Sequence, residues 1–162
     1  MTEISAVTGL RNTLQNFPTG VTIVTSISKG NPIGGTMNSF TSLSLNPELV
    51  SVSIMSGSRT AKAIFEARKF NVNIMAADQK DQAVLFSTGD QEKRFIDGGY
   101  KPGINGLPVL DGVIGVIECD LFRTLEIADH TMIVGNVTNS YVLREAPPLI
   151  YYRKDFHSAT LH

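Results

Sequence analysis

The spacing of apolar residues changes several times along this chain, and each change marks an element. Ile4, Val7, Leu10, Leu14 and Phe17 recur every three or four positions, which predicts a helix that Pro18-Thr19-Gly20 stops. Val21 to Ile27 is rich in β-branched residues and reads as a strand. After the turn Lys29-Gly30-Asn31-Pro32, Ile33 to Phe40 is its antiparallel partner. Leu49 to Met55 is the next strand, and Thr60 to Ala67 a short helix with Ser58 or Thr60 as cap. Phe70-Asn71-Val72-Asn73-Ile74-Met75 alternates, predicting a strand with one buried face. Gln79 to Ser87 reads as a second short helix, and polar Thr88 to Tyr100 as a surface excursion. Val113 to Leu121 and Met132 to Val142 are strands connected through Leu125 to His130, and Leu149 to Arg153 is the last strand. Six or seven strands joined mostly by hairpins predict a mainly β, antiparallel barrel flanked by helices, one domain over residues 1–162.

One stretch departs from these patterns. Gly34-Gly35 opens a run in which Thr36, Asn38, Ser39, Thr41, Ser42 and Ser44 all carry small hydrogen-bonding side chains, closed by Asn46-Pro47. Glycines let the backbone turn or approach another group closely. A small, flat polar ligand could lie across such a surface; a strand, a serine-rich hairpin and a second strand are the plainer reading of the stretch alone. Ser58-Arg59-Thr60, at the start of a helix, offers hydroxyls, a cation and free amides to a phosphate. Helix capping and a solvated charge are the plainer reading there.

Composition removes several alternatives. The formal net charge is -1, with no basic run, so nothing points to nucleic acid or an anionic membrane. The apolar runs fall short of a membrane span, and the first residues carry no signal-peptide pattern; a cytoplasmic protein is expected. The single cysteine, Cys119, sits in an apolar run and reads as a core residue. His130, His157 and His162 lack metal-ligand spacing, so no metal is expected. Neither a glycine-rich dinucleotide loop, nor a triphosphate-binding loop, nor a Gly-x-Ser-x-Gly elbow occurs. Enzyme chemistry, if present, then resides in a bound cofactor and not in a catalytic side chain.

Five segments, in order, resemble the short-chain flavin reductases: Phe17 to Thr25, Ser39 to Pro47, Phe70 to Asn73, Ala128-Asp129-His130 and Pro148 to Arg153. The resemblance spans nearly the whole chain. It implies an FMN-binding split barrel, a homodimer, and transfer of electrons from NADH or NADPH to FMN or FAD that supplies a partner monooxygenase. By the same match Gly35, Thr36, Asn38, Ser39, Ile54, Met55 and Phe86 line the flavin, with Ser58, Arg59 and Thr60 at its phosphate. Taken alone, Phe86 reads as a core aromatic. His130 and Tyr152 would lie on the nicotinamide side. Ala128 replaces the family glycine, a strained exchange if that position has positive φ. A non-catalytic flavin-binding or electron-transfer protein on the same barrel is the competing reading.

Overall fold

A computed structural model describes residues 9–159. The chain opens with α1 (Gly9–Leu14), then β1 (Thr19–Gly20), β2 (Thr22–Ser28), β3 (Asn31–Met37), β4 (Thr41–Leu45) and β5 (Glu48–Met55). Next come α2 (Arg59–Ala67), β6 (Lys69–Ile74), a 3-10 turn (Ala77–Gln79), α3 (Lys80–Thr88) and α4 (Gln91–Gly98). The rest is strand: β7 (Tyr100–Pro102), β8 (Pro108–Leu110), β9 (Gly115–Ile127), β10 (His130–Val142), β11 (Leu149–Tyr152) and β12 (Asp155–Ser158). No helix among the described residues is long and apolar enough to cross a membrane.

Seven strands form one antiparallel sheet in the order β3-β2-β6-β9-β10-β5-β4. Its curvature follows from connectivity. β3 and β4 are opposite edges of the sheet, yet only Asn38-Ser39-Phe40 joins them. Laid flat, seven strands would put those edges about 29 Å apart. The linking residues span at most about 14 Å. The sheet therefore curls until its edges meet, and β3 and β4 do not pair with each other. The result is an antiparallel barrel with an unzipped seam, as the resemblance implied.

β2 is buried on both faces. Val21 and Ile23 join Met75, Phe86, Phe95 and Leu149 on one side. Val24 joins Val52, Phe70, Val72 and Ile133 on the other, beneath Ala61 and Ile64 of α2. Cys119 belongs to this second cluster, and burial, aided by Asp120 and Glu118, pushes its thiol up to about 12.

Several expectations need correction. β6 is buried on both faces, not one: Asn71 and Asn73 are fully buried, like Phe70 and Val72. The surface excursion contains α4, which Asp90 caps by accepting from the Glu92 amide and whose Phe95 is buried. Its turn of helix carries too few apolar residues to reveal itself by spacing. β9 continues to Ile127, so only Ala128-Asp129 joins it to β10. A further strand, β12, follows β11. The predicted first helix shortens to α1 among the described residues; Ile4 and Val7 lie outside them, while Leu10, Leu14 and Phe17 are exposed.

Candidate functional site

The seam holds a cleft of about 560 Å³. Gly35, Thr36, Asn38 and Ser39 supply one wall from β3 and the linking residues. Ile54 and Met55 come from the end of β5, Ser58 and Thr60 from the start of α2, and Phe86 from α3. His130, first residue of β10, completes it opposite Met55. Ten of the residues singled out in the sequence thus converge on one cavity. Arg59 borders an adjoining polar chamber of about 610 Å³ that shares Ser58, Thr60 and Arg94 with the cleft. Tyr152 is not brought to the cleft: it lines a separate cavity with Leu10, Leu14 and Phe17, touching the cleft only through Asn38.

Local bonding explains how the walls are held. The Ser39 hydroxyl donates to the Ser53 carbonyl at 2.7 Å and accepts from the Ser53 amide at 3.1 Å, fastening the linker to β5. Thr36 Oγ1 donates to the Ala83 carbonyl at 2.6 Å, fastening β3 to α3. Both hydroxyl hydrogens are therefore spent inside the protein, and donors for a ligand come from the backbone. β3 is an edge strand, so alternate amides and carbonyls point away from β2. The Gly34 carbonyl takes Arg94 Nη1 on that side at 2.7 Å, and the period of two turns the Thr36 backbone the same way.

Gly35 matters for close approach. A Cβ added there would lie 3.2 Å from Thr60 Oγ1, so the glycine lets β3 lie against the first turn of α2. Ser58 caps that helix, its Oγ accepting from the Ala61 amide at 3.2 Å. The amides at the start of the helix, with Arg59 exposed beside them, suit an anion. Phe86 borders the cleft from within the core; it is 1% exposed and its ring meets Phe95 edge-on at 5.0 Å. It is thus a core aromatic that also borders the cleft.

Arg94 was not foreseen. Nε and Nη2 both donate to the Gly89 carbonyl, at 3.1 and 2.9 Å, and Nη1 to Gly34 and to Gln91 Oε1. Burial pulls its pKa down, the like charge of Arg59 adds to that, and Asp90 opposes it. The sequence signal was Asp90 followed by Glu92, a helix start hidden in a polar stretch. Ser53 and Ser87 also line the cleft unforeseen.

The turn before His130 is strained. Ala128 has φ 54°, the left-handed region where glycine is at ease and alanine is not. Asp129 Oδ1 lies 2.8 Å from His130 Nδ1, and this hydrogen bond holds the carboxyl below its ordinary value. The Asp129 carbonyl accepts from the Ser56 amide at 2.9 Å, tying the hairpin to the end of β5. Among the described residues no group of three or more His, Cys, Asp or Glu is placed to hold a metal ion.

A flavin fits this donor set on three counts: an unpaired backbone edge for the ring's carbonyls, a flat seam opened by Gly35, and a capped helix start with a cation for the phosphate. Residues 14–160 match the flavin reductase like domain, and the chain belongs to that family. It is 35% identical over 146 residues to the reductase subunit of a flavin-dependent monooxygenase from Rhodococcus jostii, covering 90% of this chain and 74% of that one. A solved flavin reductase complexed with NADP+ superposes with a TM-score of 0.86 at 35% identity, over 92% of this chain and 95% of that one. The chain spans 42% and 56% of the length of two Rhizobium meliloti relatives at 38% identity, one of them the reductase subunit of stachydrine N-demethylase.

Proposed function

We propose that the chain is an NAD(P)H-dependent flavin reductase that passes reduced FMN or FAD to a partner monooxygenase. The convergence of Gly35, Thr36, Asn38, Ser39, Ser58 and Thr60 on one seam cleft carries this reading. Relatives named as reductase subunits of flavin-dependent monooxygenases support the partner. A flavin, when bound, would supply the chemistry as the hydride acceptor. The protein's own residues orient and shield. The outward backbone of β3 would hold the ring edge, and the α2 start with Arg59 would hold the phosphate. Donors along that seam would favour negative charge developing on the ring. Holding two ring systems in register is worth several powers of ten in rate. His130, fixed by Asp129, stands at the cleft mouth where the nicotinamide would enter.

We also propose a homodimer, in which a second copy covers apolar surface left exposed beside the cleft, such as Met55, Leu125 and Ile127. A cytoplasmic setting suits a consumer of reduced nicotinamide. The test is NADH and NADPH oxidation at 340 nm with FMN and with FAD. Turnover that saturates in flavin is expected. Flavin binding without nicotinamide oxidation would favour the non-catalytic reading, to which the strained Ala128 lends its one support.

A further inference from the structure

We propose that the cavity lined by Tyr152 is a nucleotide subsite for the adenosine 2′-phosphate of NADPH, so that this chain prefers NADPH to NADH. The inference rests on the flavin reductase reading above. The cavity holds about 740 Å³ and lies apart from the polar chamber at the start of α2, with which it shares no residue. It shares only Asn38 with the cleft, but a neck of about 200 Å³ bridges the two. Thr36, Met37 and Ser87 line that neck from the cleft, and Tyr151 from the cavity. A long ligand thus has room for one end in the cleft and the other in the cavity, extended away from the flavin rather than folded over it.

Three features of its walls select a phosphorylated purine. First, Arg11, Arg153 and Lys154 line it, and no Asp or Glu among the described residues does. None of these cations forms an ion pair among the described residues; Asp155, next to Lys154, is held by Lys80 at 2.8 Å. In a chain of net charge -1 this is a local concentration of positive charge, and it suits an anion. Second, the turn that carries two of the cations is strained. It joins β11 to β12 through Arg153 and Lys154 alone, with φ 49° and 65°. Such a turn ordinarily takes asparagine and glycine. Side chains held at left-handed backbone cost stability, and outliers of this kind gather at ligand sites. The turn is also tied to the end of α1: the Arg153 amide donates to the Gln15 carbonyl at 3.0 Å, and its Nη2 to Asn16 Oδ1 at 3.3 Å. Its guanidinium lies 5.3 Å from the centre of the Tyr152 ring. Third, Leu10, Leu14 and Phe17 line the same cavity and are exposed, an apolar floor for a flat base. An apolar floor under a cationic rim matches an adenosine phosphate better than a bare phosphate or a neutral ligand. The 2′-phosphate is the group that separates NADPH from NADH.

The test is titration of the full chain, without flavin, with 2′,5′-ADP and with 5′-ADP, read by calorimetry. The two isomers carry the same number of phosphates, so a difference reads phosphate position and not charge. The wild type is expected to bind 2′,5′-ADP about tenfold more tightly. With flavin added, its KM for NADPH should lie about tenfold below that for NADH. Lys154→Gly removes one cation and relieves its left-handed backbone. It is expected to raise the melting temperature while weakening 2′,5′-ADP by about tenfold. A variant that melts higher but binds 2′,5′-ADP like the wild type overturns the proposal, as does equal binding of the two isomers by the wild type. If neither isomer binds and Leu14→Glu halves the molecular mass in solution, the cavity is a contact between two copies and the proposal falls. Flavin reduction that runs equally well with NADH and NADPH defeats the proposal and leaves the reductase reading intact. Selective binding of 2′,5′-ADP by a chain that reduces no flavin does the opposite, defeating the reductase reading and keeping the nucleotide subsite. The wild-type ratio needs no variant, so the test stands whatever the folding of either substitution.

Discussion

Two polar regions of this barrel make opposite use of the same kinds of group. On the face of β2, β6 and β9 away from the second core cluster, Thr25, Asn71, Asn73 and Glu118 are fully buried. Every partner is supplied from within. Glu118 Oε1 accepts from the Ile104 amide and Tyr141 hydroxyl, and Oε2 from the Asn105 amide and Asn139 Nδ2. Four donors fill the four acceptor positions of a carboxylate. Asn73 binds the Ile23 carbonyl, Thr25 Oγ1 and the Leu110 amide, while Asn71 takes Asn105 Nδ2. At the seam, Thr36 and Ser39 are also bonded, but the β3 edge and the α2 start keep unused capacity. A closed polar network fixes structure; an open one binds.

Breaking the closed network should cost most. Glu118→Ala removes a fully buried carboxylate from four donors and is expected to destabilise by about 3–5 kcal/mol. A thermal melt should then fall by roughly ten degrees. A stable Glu118→Ala chain with altered flavin affinity would erase the distinction between the regions. Arg59→Ala should do the reverse: flavin affinity falls about ten- to a hundredfold, from losing about 1.5–3 kcal/mol of charge-assisted bonding. Its melting temperature should stay near wild type, because the side chain is exposed. Flavin titration and a melt on the same sample check both halves.

Ala128→Gly sharpens the comparison from the other side. It relieves the left-handed alanine and should stabilise by about 1 kcal/mol, raising the melting temperature by roughly 2–4 °C. The smallest effect concerns acid. The His130 hydrogen bond lowers the folded-state pKa of Asp129. Its contribution is thus present above the unfolded carboxyl value of about 3.9 and is lost as pH falls through the lower folded value. Wild type and Asp129→Asn should differ slightly near neutrality and converge once the pH falls below the lowered folded-state value. Paired acid titrations read this out, and a gap that widens on acidification would contradict it.

Period and turn chemistry made much of this molecule legible in its sequence. β2, β5, β10, α2 with its Ser58 cap, and the Gly34 to Ser39 stretch all lie where spacing put them. The misread regions share one cause. Alternation at Phe70 to Met75 reports that apolar and polar groups face opposite ways, not that the polar face meets water. Asn71 and Asn73 are buried because residues 103–110 pack over them and supply partners far away in sequence. Arg94 escaped notice likewise, since its importance comes from carbonyls on β3 and at Gly89. Tyr152 shows the converse, a motif matched in sequence whose side chain lines a neighbouring cavity.

The short link between opposite edges of the sheet also governs the order of events during folding. The cleft is not complete until β5 has docked on β10, which sets His130 opposite Met55, and those strands come from opposite halves of the chain. Contacts of such wide sequence separation form slowly. A nascent chain that has not yet emitted β10 therefore has every residue of the cleft wall named above except His130, but no complete cleft. In refolding from denaturant, the ability to quench flavin fluorescence should return with the last kinetic phase, after most strand content has recovered. Ligand capture in this protein is a report that the whole chain has closed.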